Sequence, residues 1–367
     1  MKTIRLLTAI VLILGISGAS CNNPSQQANN QTTDEAKKPS NIILMIGDGM
    51  GVSQIYAGMT VSEQPLVFER FKSIGFQKTF SSDNYITDSG ASGTAIATGH
   101  KTNNGTIAIS PSGDTLTTIL ELAEKSGLST GLVSTSSILH ATPASFIAHN
   151  ESRHHYDQLA EDFLKTDIDV FIGGGYKNFA EREDGRNLVR SLEEKGYQVL
   201  RDMKQIQAVE QGKLAGLTAE GHNPKYSEGR GDMLPLATQT ALNILDNNEK
   251  GFFLMVESSQ IDWGGHDNSS DYIVDEMLDF NRAVEKAMAF AEKNPNTLLI
   301  VTADHETGGM ALTGGDISKK QVEASFPTEG HTGVMVPVFA VGPGAEHFQG
   351  IYDNTDVFKK MKELYGF

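Results

Sequence analysis

The stretch Asn41-Ile42-Ile43-Leu44-Met45-Ile46-Gly47-Asp48 is an unbroken apolar run that stops at a glycine and a carboxylate. Two more runs have the same form. Gly251-Phe252-Phe253-Leu254-Met255-Val256 stops at Glu257, and Thr297-Leu298-Leu299-Ile300-Val301-Thr302-Ala303 stops at Asp304 and His305. Short runs of large aliphatic and β-branched residues between polar or Gly residues read as strands buried on both faces. Helical periodicity separates them. Thr115–Lys125 places Leu116, Ile119, Leu120 and Ala123 on one face, and Ile273–Lys293 does so with Ile273, Met277, Phe280, Val284, Ala287 and Ala291. Strands alternating with helices make parallel βαβ units. The expected fold is α/β: a central, mainly parallel β-sheet flanked by helices on both faces. The more polar segment 181–235 reads as an excursion at the domain edge.

In open α/β sheets ligands bind outside the carboxyl ends of strands. Asp48, Glu257, Asp304 and His305 stand at such ends. One Asp-His pair reads as a capped turn, but several strand ends presenting carboxylate or imidazole read as a metal site. Asp262 and His266 follow Glu257 closely, and His331 stands in Gly330-His331-Thr332-Gly333. The segment Asp88-Ser89-Gly90-Ala91-Ser92-Gly93-Thr94-Ala95 has two readings on its own. It is a close-packing helix capped by Asp88, or a helix start that offers Ser89 and open N–H groups to an anion. Arg153, in Glu151-Ser152-Arg153-His154-His155, reads on its own as a surface arginine.

Together the motifs Ile46–Gly51, Thr87–Ala95, His140–Ala144, Ser152-Arg153, Val256–Ser258, Ile261–His266, Thr302–Glu306 and Gly330–Thr332 resemble, in order, those of the alkaline phosphatases, a metal-dependent family with a serine nucleophile. The likeness runs from about Asn41 to the C-terminus and is nearest to short Bacteroidetes-type bacterial members. It implies hydrolysis of phosphate monoesters at alkaline pH through a phosphoserine on Ser89, with two Zn2+ and one Mg2+. By the resemblance, Asp262, His266 and His331 hold one zinc. Asp48, Asp304 and His305 hold the second, with Ser89 as its fourth ligand. Asp48, Thr142 and Glu257 hold magnesium, and Arg153 grips two phosphate oxygens. Only 25 residues separate His305 from His331, so the large inserted cap of longer members is expected to be missing. His140 and Trp263 depart from the best-known bacterial members, which carry an aspartate and a lysine there. The exchange implies a changed third metal site and weaker product binding.

The chemistry suits those residue types. Free serine is a weak nucleophile near neutral pH, and a bound zinc favours its alkoxide. Asp and His suit zinc, while carboxylate, hydroxyl and water suit magnesium. A guanidinium fork matches two phosphate oxygens better than an ammonium does. The chain has 30 basic and 46 acidic residues, a net charge of −16. That balance argues against nucleic-acid or anionic-membrane partners, which want a basic face. A phosphate site inside an acidic protein stays positive because two Zn2+ and one Mg2+ outweigh the four carboxylate ligands.

The N-terminus addresses location. Lys2 and Arg5 precede the apolar stretch Leu6–Ile16, which is too short for a stable span. Ser17-Gly18-Ala19-Ser20-Cys21 resembles a lipoprotein cleavage site, with Gly18 where leucine is usual. The expected organisation is a leader at 1–20, a tether at 21–40 beginning with a lipidated Cys21, and one catalytic domain at 41–367. An exported protein follows, periplasmic or anchored to a membrane by lipid, with a homodimer as the family's common form. Rival readings are a diesterase or sulfatase of the same superfamily, and a tethered phosphate-binding lipoprotein. Sulfatases need an oxidised cysteine or serine, and Cys21 is the only cysteine. Pure binding has no use for a nucleophile between two zinc sets.

Overall fold

The structure is a computed structural model that describes residues 38–367. The leader, Cys21 and most of the tether lie outside the described residues. The tether's last residues, 38–40, lie within them, and the Ser40 N–H donates to the Asn296 carbonyl at 3.0 Å.

Fourteen strands occur in the described residues. The first seven are β1 (Asn41–Gly47), β2 (Ser73–Lys78), β3 (Ser129–Ser137), β4 (Val170–Gly174), β5 (Gln198–Leu200), β6 (Leu214–Leu217) and β7 (Phe252–Ser258). Then come β8 (Thr297–Thr302), β9 (Glu306–Thr307), β10 (Ala311–Asp316), β11 (Gln321–Ser325), β12 (His331–Thr332), β13 (Val336–Val341) and β14 (Gly350–Asp353). Ten form one sheet in the order β14-β2-β13-β8-β1-β7-β3-β4-β6-β5. Only β13 runs antiparallel to its neighbours. The three apolar runs are its centre, β8-β1-β7, paired in parallel.

Alternation sorts the core into two layers. Ile42, Leu44 and Ile46 of β1 pack on one face with Ile96, Leu120, Leu159 and Phe358 from helices. Ile43 and Met45 pack on the other with Ile55, Leu242, Met277 and Phe280. This is the expected sheet with helices on both faces. Between His305 and His331 the chain makes only the hairpin β10–β11 and the short strands β9 and β12. No large cap is inserted there.

Three boundaries differ from expectation. The first helix begins at Ile119, not Thr115. The Thr118 hydroxyl accepts from the Glu121 N–H at 3.1 Å and the Glu121 carboxylate accepts from the Thr118 N–H at 2.8 Å. This reciprocal cap fixes the start and leaves Leu116 outside the helix. The long helix starts earlier than expected, at Ser270, because Ser269 caps it through the Tyr272 N–H. The segment 181–235 does lie at the sheet edge, but it supplies β5 and β6 and starts the helix Met233–Leu245. Pro235 fits the first turn of that helix, where its missing N–H has no intrahelical partner to lose.

Candidate active site

The site forms where the central strands end. Ile46 lies opposite both Glu257 and Thr302 in the sheet, so the turns after β1 and β8 and the end of β7 are at one level. Asp48, Asp304, His305, Glu257 and Thr142 are fully buried. The helix Ser89–Thr98 abuts them. Its N-cap Asp88 accepts from the Ala91 N–H at 2.9 Å, and its Ser92 hydroxyl donates to the Asp304 carbonyl at 2.7 Å. Small residues permit that approach. At Gly49, which has φ +72°, a Cβ would lie 2.6 Å from the Asp262 Cα.

Ser89 Oγ lies 3.3 Å from His305 Nε2. Asp304 Oδ2 and Asp48 Oδ1 lie 3.2 and 3.4 Å from that same nitrogen. This is not a serine–histidine relay, in which the orienting carboxylate holds the ring nitrogen opposite the serine. Here both carboxylates and the hydroxyl converge on one nitrogen, as ligands converge on an ion. A second group is built likewise. His266 Nε2 is 3.3 Å from both Asp262 Oδ2 and His331 Nε2. The Nδ1 atoms face the backbone carbonyls of Glu329 and Thr87, which turns the Nε2 atoms toward Asp262 as ligands would be turned toward an ion. In the third group Asp48, Glu257 and His140 offer ligand atoms within 4.8 Å of one another, and Thr142 stands beside Glu257.

Unpartnered atoms mark the same places. Both Asp48 oxygens, Glu257 Oε1, Asp304 Oδ2, Thr142 Oγ1 and His140 Nδ1 are buried with no hydrogen-bond partner. Buried polar atoms are ordinarily satisfied, so this concentration fits groups shaped to hold cations. The electrostatics agree. Burial, then Asp304, Asp262 and Glu257, holds the Asp48 carboxyl well above its usual range. Burial with Asp262 and Glu257 pushes Asp304 up to about 8. Asp262 raises His266 to about 9. Burial, then His331, holds His305 well below the usual imidazole range.

Every metal-ligating, catalytic or neighbouring residue expected from the sequence is in this region; Cys21 lies outside the described residues. Arg153 is not a surface residue. Its Nη1 donates to Asp88 at 2.8 Å and its Nη2 lies 3.2 Å from His140 Nε2. His140 lies edge-on to Trp263 at 6.3 Å between centroids. Burial, then Arg153, holds the His140 pKa well below its usual value.

Some neighbours were not singled out by sequence. Asp88 has a second task, holding Arg153. The hydroxyls of Ser134 and Ser259 each donate to Glu257 Oε2 at 2.6 Å. The Thr307 hydroxyl donates to Asp262. His222, which is exposed, lies edge-on to Trp263 at 5.0 Å and accepts the Ser137 N–H at 3.1 Å. Strand alternation signals Thr307, two residues after His305. Nothing local signals Asp88 with Arg153, which are 65 residues apart.

A family model described as alkaline phosphatase matches residues 39–325 and 316–366. Alkaline phosphatase 3 of Bacillus subtilis is 34% identical over 98% of this chain and 95% of its own length. The structure of alkaline phosphatase from the Antarctic bacterium TAB5 is 38% identical, with a TM-score of 0.86 over 91% of this chain and 99% of that one. A variant of the TAB5 enzyme, equally similar, has magnesium bound in its M3 site.

Proposed function

The chain belongs to the alkaline phosphatase family and is a phosphatase acting on phosphate monoesters, and from that premise we propose how its own residues do so. Asp262, His266 and His331 would hold one Zn2+. Asp48, Asp304 and His305, with Ser89, would hold a second, and Asp48, Thr142 and Glu257 would hold Mg2+. Bound there, the metals supply positive charge that lowers the pKa of the serine hydroxyl and of water, and that steadies the leaving oxygen.

The Ser89 hydroxyl gives up its proton and its Oγ attacks phosphorus. A P–Oγ bond forms as the ester P–O bond breaks, and the alcohol leaves with a proton from solvent. Water then attacks the phosphoserine, the P–Oγ bond breaks, Ser89 regains a proton and inorganic phosphate departs. Arg153 binds two phosphate oxygens. Asp88 and His140 fix the plane of its guanidinium, so its fork meets the phosphate already oriented. Trp263 brings no positive charge to the phosphate where a lysine would, which favours product release, and His140 brings an imidazole to the third metal group where an aspartate would bring a carboxylate. The double change His140→Asp with Trp263→Lys should tighten phosphate inhibition and slow turnover at high pH.

The observation that carries this reading is the convergence of Ser89 Oγ and two carboxylates on His305 Nε2, with Asp48 Oδ2 and Glu257 Oε1 also left unpartnered. Ser89→Ala should reduce monoester turnover by at least about a thousandfold, the scale of losing a nucleophile, while keeping zinc. Labelled phosphate trapped from acid-quenched enzyme should sit on Ser89. Label on another residue would refute the assignment. The leader and Cys21 support an exported protein anchored by lipid, periplasmic or membrane-bound, and a homodimer is the assembly proposed. Detergent partitioning of wild type and Cys21→Ser tests the anchor.

A further inference from the structure

Glu306 follows the pair Asp304-His305 and is 4% exposed. A carboxylate this deep is costly without a partner. Among the described residues no Lys, Arg or His lies within 4.0 Å of it in an ion pair; its partners are four neutral donors. Oε1 accepts from Gln54 Nε2 at 2.7 Å and from the Met310 N–H at 3.1 Å. Oε2 accepts from the Gly309 N–H at 3.2 Å and from the Thr332 hydroxyl. An ionised carboxylate is the side chain that accepts four such bonds and donates none.

Where the donors sit is informative. Thr332 adjoins His331 and pairs with Glu306 across β12 and β9. Gln54 is in the first turn of the helix Val52–Val61, just after the turn that carries Asp48. Its Oε1 accepts from the Gly51 N–H at 3.1 Å, and its Nε2 also donates to the Thr307 carbonyl at 3.1 Å. The Thr307 N–H in turn donates to the Gly49 carbonyl at 3.2 Å. The approach is tight: a Cβ at Gly51 would lie 2.5 Å from Glu306 Cγ. One carboxylate therefore joins the segments carrying Asp48, His305 and His331.

We propose that Glu306 is a positioning residue that braces His331, through the Thr332 hydroxyl, against the turn carrying Asp48, and so sets the zinc affinity of the Asp262, His266 and His331 group. The proposal rests on the reading of that group as a zinc site. The three carriers respond unequally. Asp48 and His305 are fully buried and held by the central strands. His331 lies on a two-residue strand and is partly exposed. Loss of the brace should therefore fall on the group containing His331.

The test titrates zinc into metal-free protein against a chromophoric chelator. Wild type should show two tight zinc sites. In Thr332→Val, which keeps the side-chain shape, one site should weaken about tenfold or more, the scale seen when outer partners of metal ligands are removed. The other should be unchanged. Thr332→Ser, which keeps the hydroxyl, should behave as wild type, and Glu306→Gln should weaken the same site as Thr332→Val. Two unchanged sites in Thr332→Val, or equal weakening in the Ser and Val variants, would overturn the brace. Wild type that takes up no zinc would instead overturn the metal reading beneath it.

Discussion

Glu276 and Asp279 lie as deep in this protein as Asp48, Glu257 and Asp304, and the two clusters are closed in different ways. Around Glu276 and Asp279 the chain supplies its own cation. Arg230, with its side chain 1% exposed, donates to both carboxylates. The Tyr226 N–H and Arg282 Nη2 take further oxygens at 2.8 and 2.7 Å. At the ends of the central strands Asp48, Glu257, Asp262 and Asp304 form no ion pair with a lysine or arginine among the described residues; their charged neighbours are histidines, and Arg153 is held by Asp88. Burial raises Glu276 as it raises Asp48, Glu257 and Asp304. A shifted pKa therefore does not separate the clusters. Unpartnered oxygens do, and in a folded chain they point to a cation that must come from outside.

The largest break in that comparison should come from removing metal. Exhaustive chelation should bring hydrolysis of an aryl phosphate monoester to background, and zinc with magnesium should restore it. Metal content measured beside activity checks this, and full activity in metal-free protein would sink the reading. The balanced cluster should respond oppositely. Arg230→Met leaves buried Glu276 without its cation and Asp279 with Arg282 alone, so stability should fall by about 3–5 kcal/mol. Added metal should not recover it. Chemical denaturation gives the value, and a loss below about 1 kcal/mol would mean the pair contributes little.

Much of this contrast was legible in the sequence, for identifiable reasons. β1, β7 and β8 could be read because strands buried on both faces must be apolar throughout. Asp48, Glu257, Asp304 and His305 stood out because polar residues ending such runs need an explanation. The brace on Glu306 and the pairing of Asp88 with Arg153 were not legible, since they join segments distant along the chain. Arg230, Glu276 and Asp279 had no signal either. On a mostly polar stretch and an amphipathic helix they look like any solvated charges. Leu116 stands outside its helix because the cap at Thr118 starts the helix after it, and within 181–235 the strands β5, at the sheet's edge, and β6, beside it, are too short to show a pattern.

A smaller effect sharpens the contrast from inside the unbalanced cluster. In the metal-free protein Asp304 is neutral well above the range of an ordinary carboxyl, at about 8. A raised folded pKa means stability is fully present below the unfolded value and drains as pH rises through the folded one. Metal-free wild type should therefore weaken between about pH 4 and pH 8. Asp304→Asn cannot ionise and should be the more stable metal-free protein at pH 9, by at least about 1 kcal/mol. Saturating zinc should reverse the order, because the variant lacks a charged ligand. Identical stability of both metal-free forms at pH 9 would show that carboxylate crowding carries little energy.

The smallest effect belongs to a half-buried pair that is also closed within the chain, His149 with Glu121. His149 Nδ1 lies 3.1 Å from the Ala108 carbonyl and Nε2 lies 3.1 Å from Glu121 Oε1. Both neighbours are acceptors, and a neutral imidazole has one N–H to offer, so only the imidazolium satisfies both. Burial lowers the His149 pKa, but Glu121 and the Ala108 carbonyl outweigh it and the pKa is raised. Glu121 is lowered: burial pushes it up, and His149 and the Thr118 N–H overcome that. Glu121 therefore stays ionised across the titration of His149. The pair's contribution is present below about pH 6.5, the unfolded histidine value, and is lost as pH rises through the folded one. Glu121→Gln isolates the charge, because glutamine also completes a cap with Thr118. At pH 6 the variant should be less stable than wild type by about 0.5–1 kcal/mol, the scale of a partly exposed pair. By pH 8.5 the gap should have narrowed. Denaturation of metal-loaded protein at the two pH values measures it. A gap that does not change with pH would mean that His149 is held there without charge.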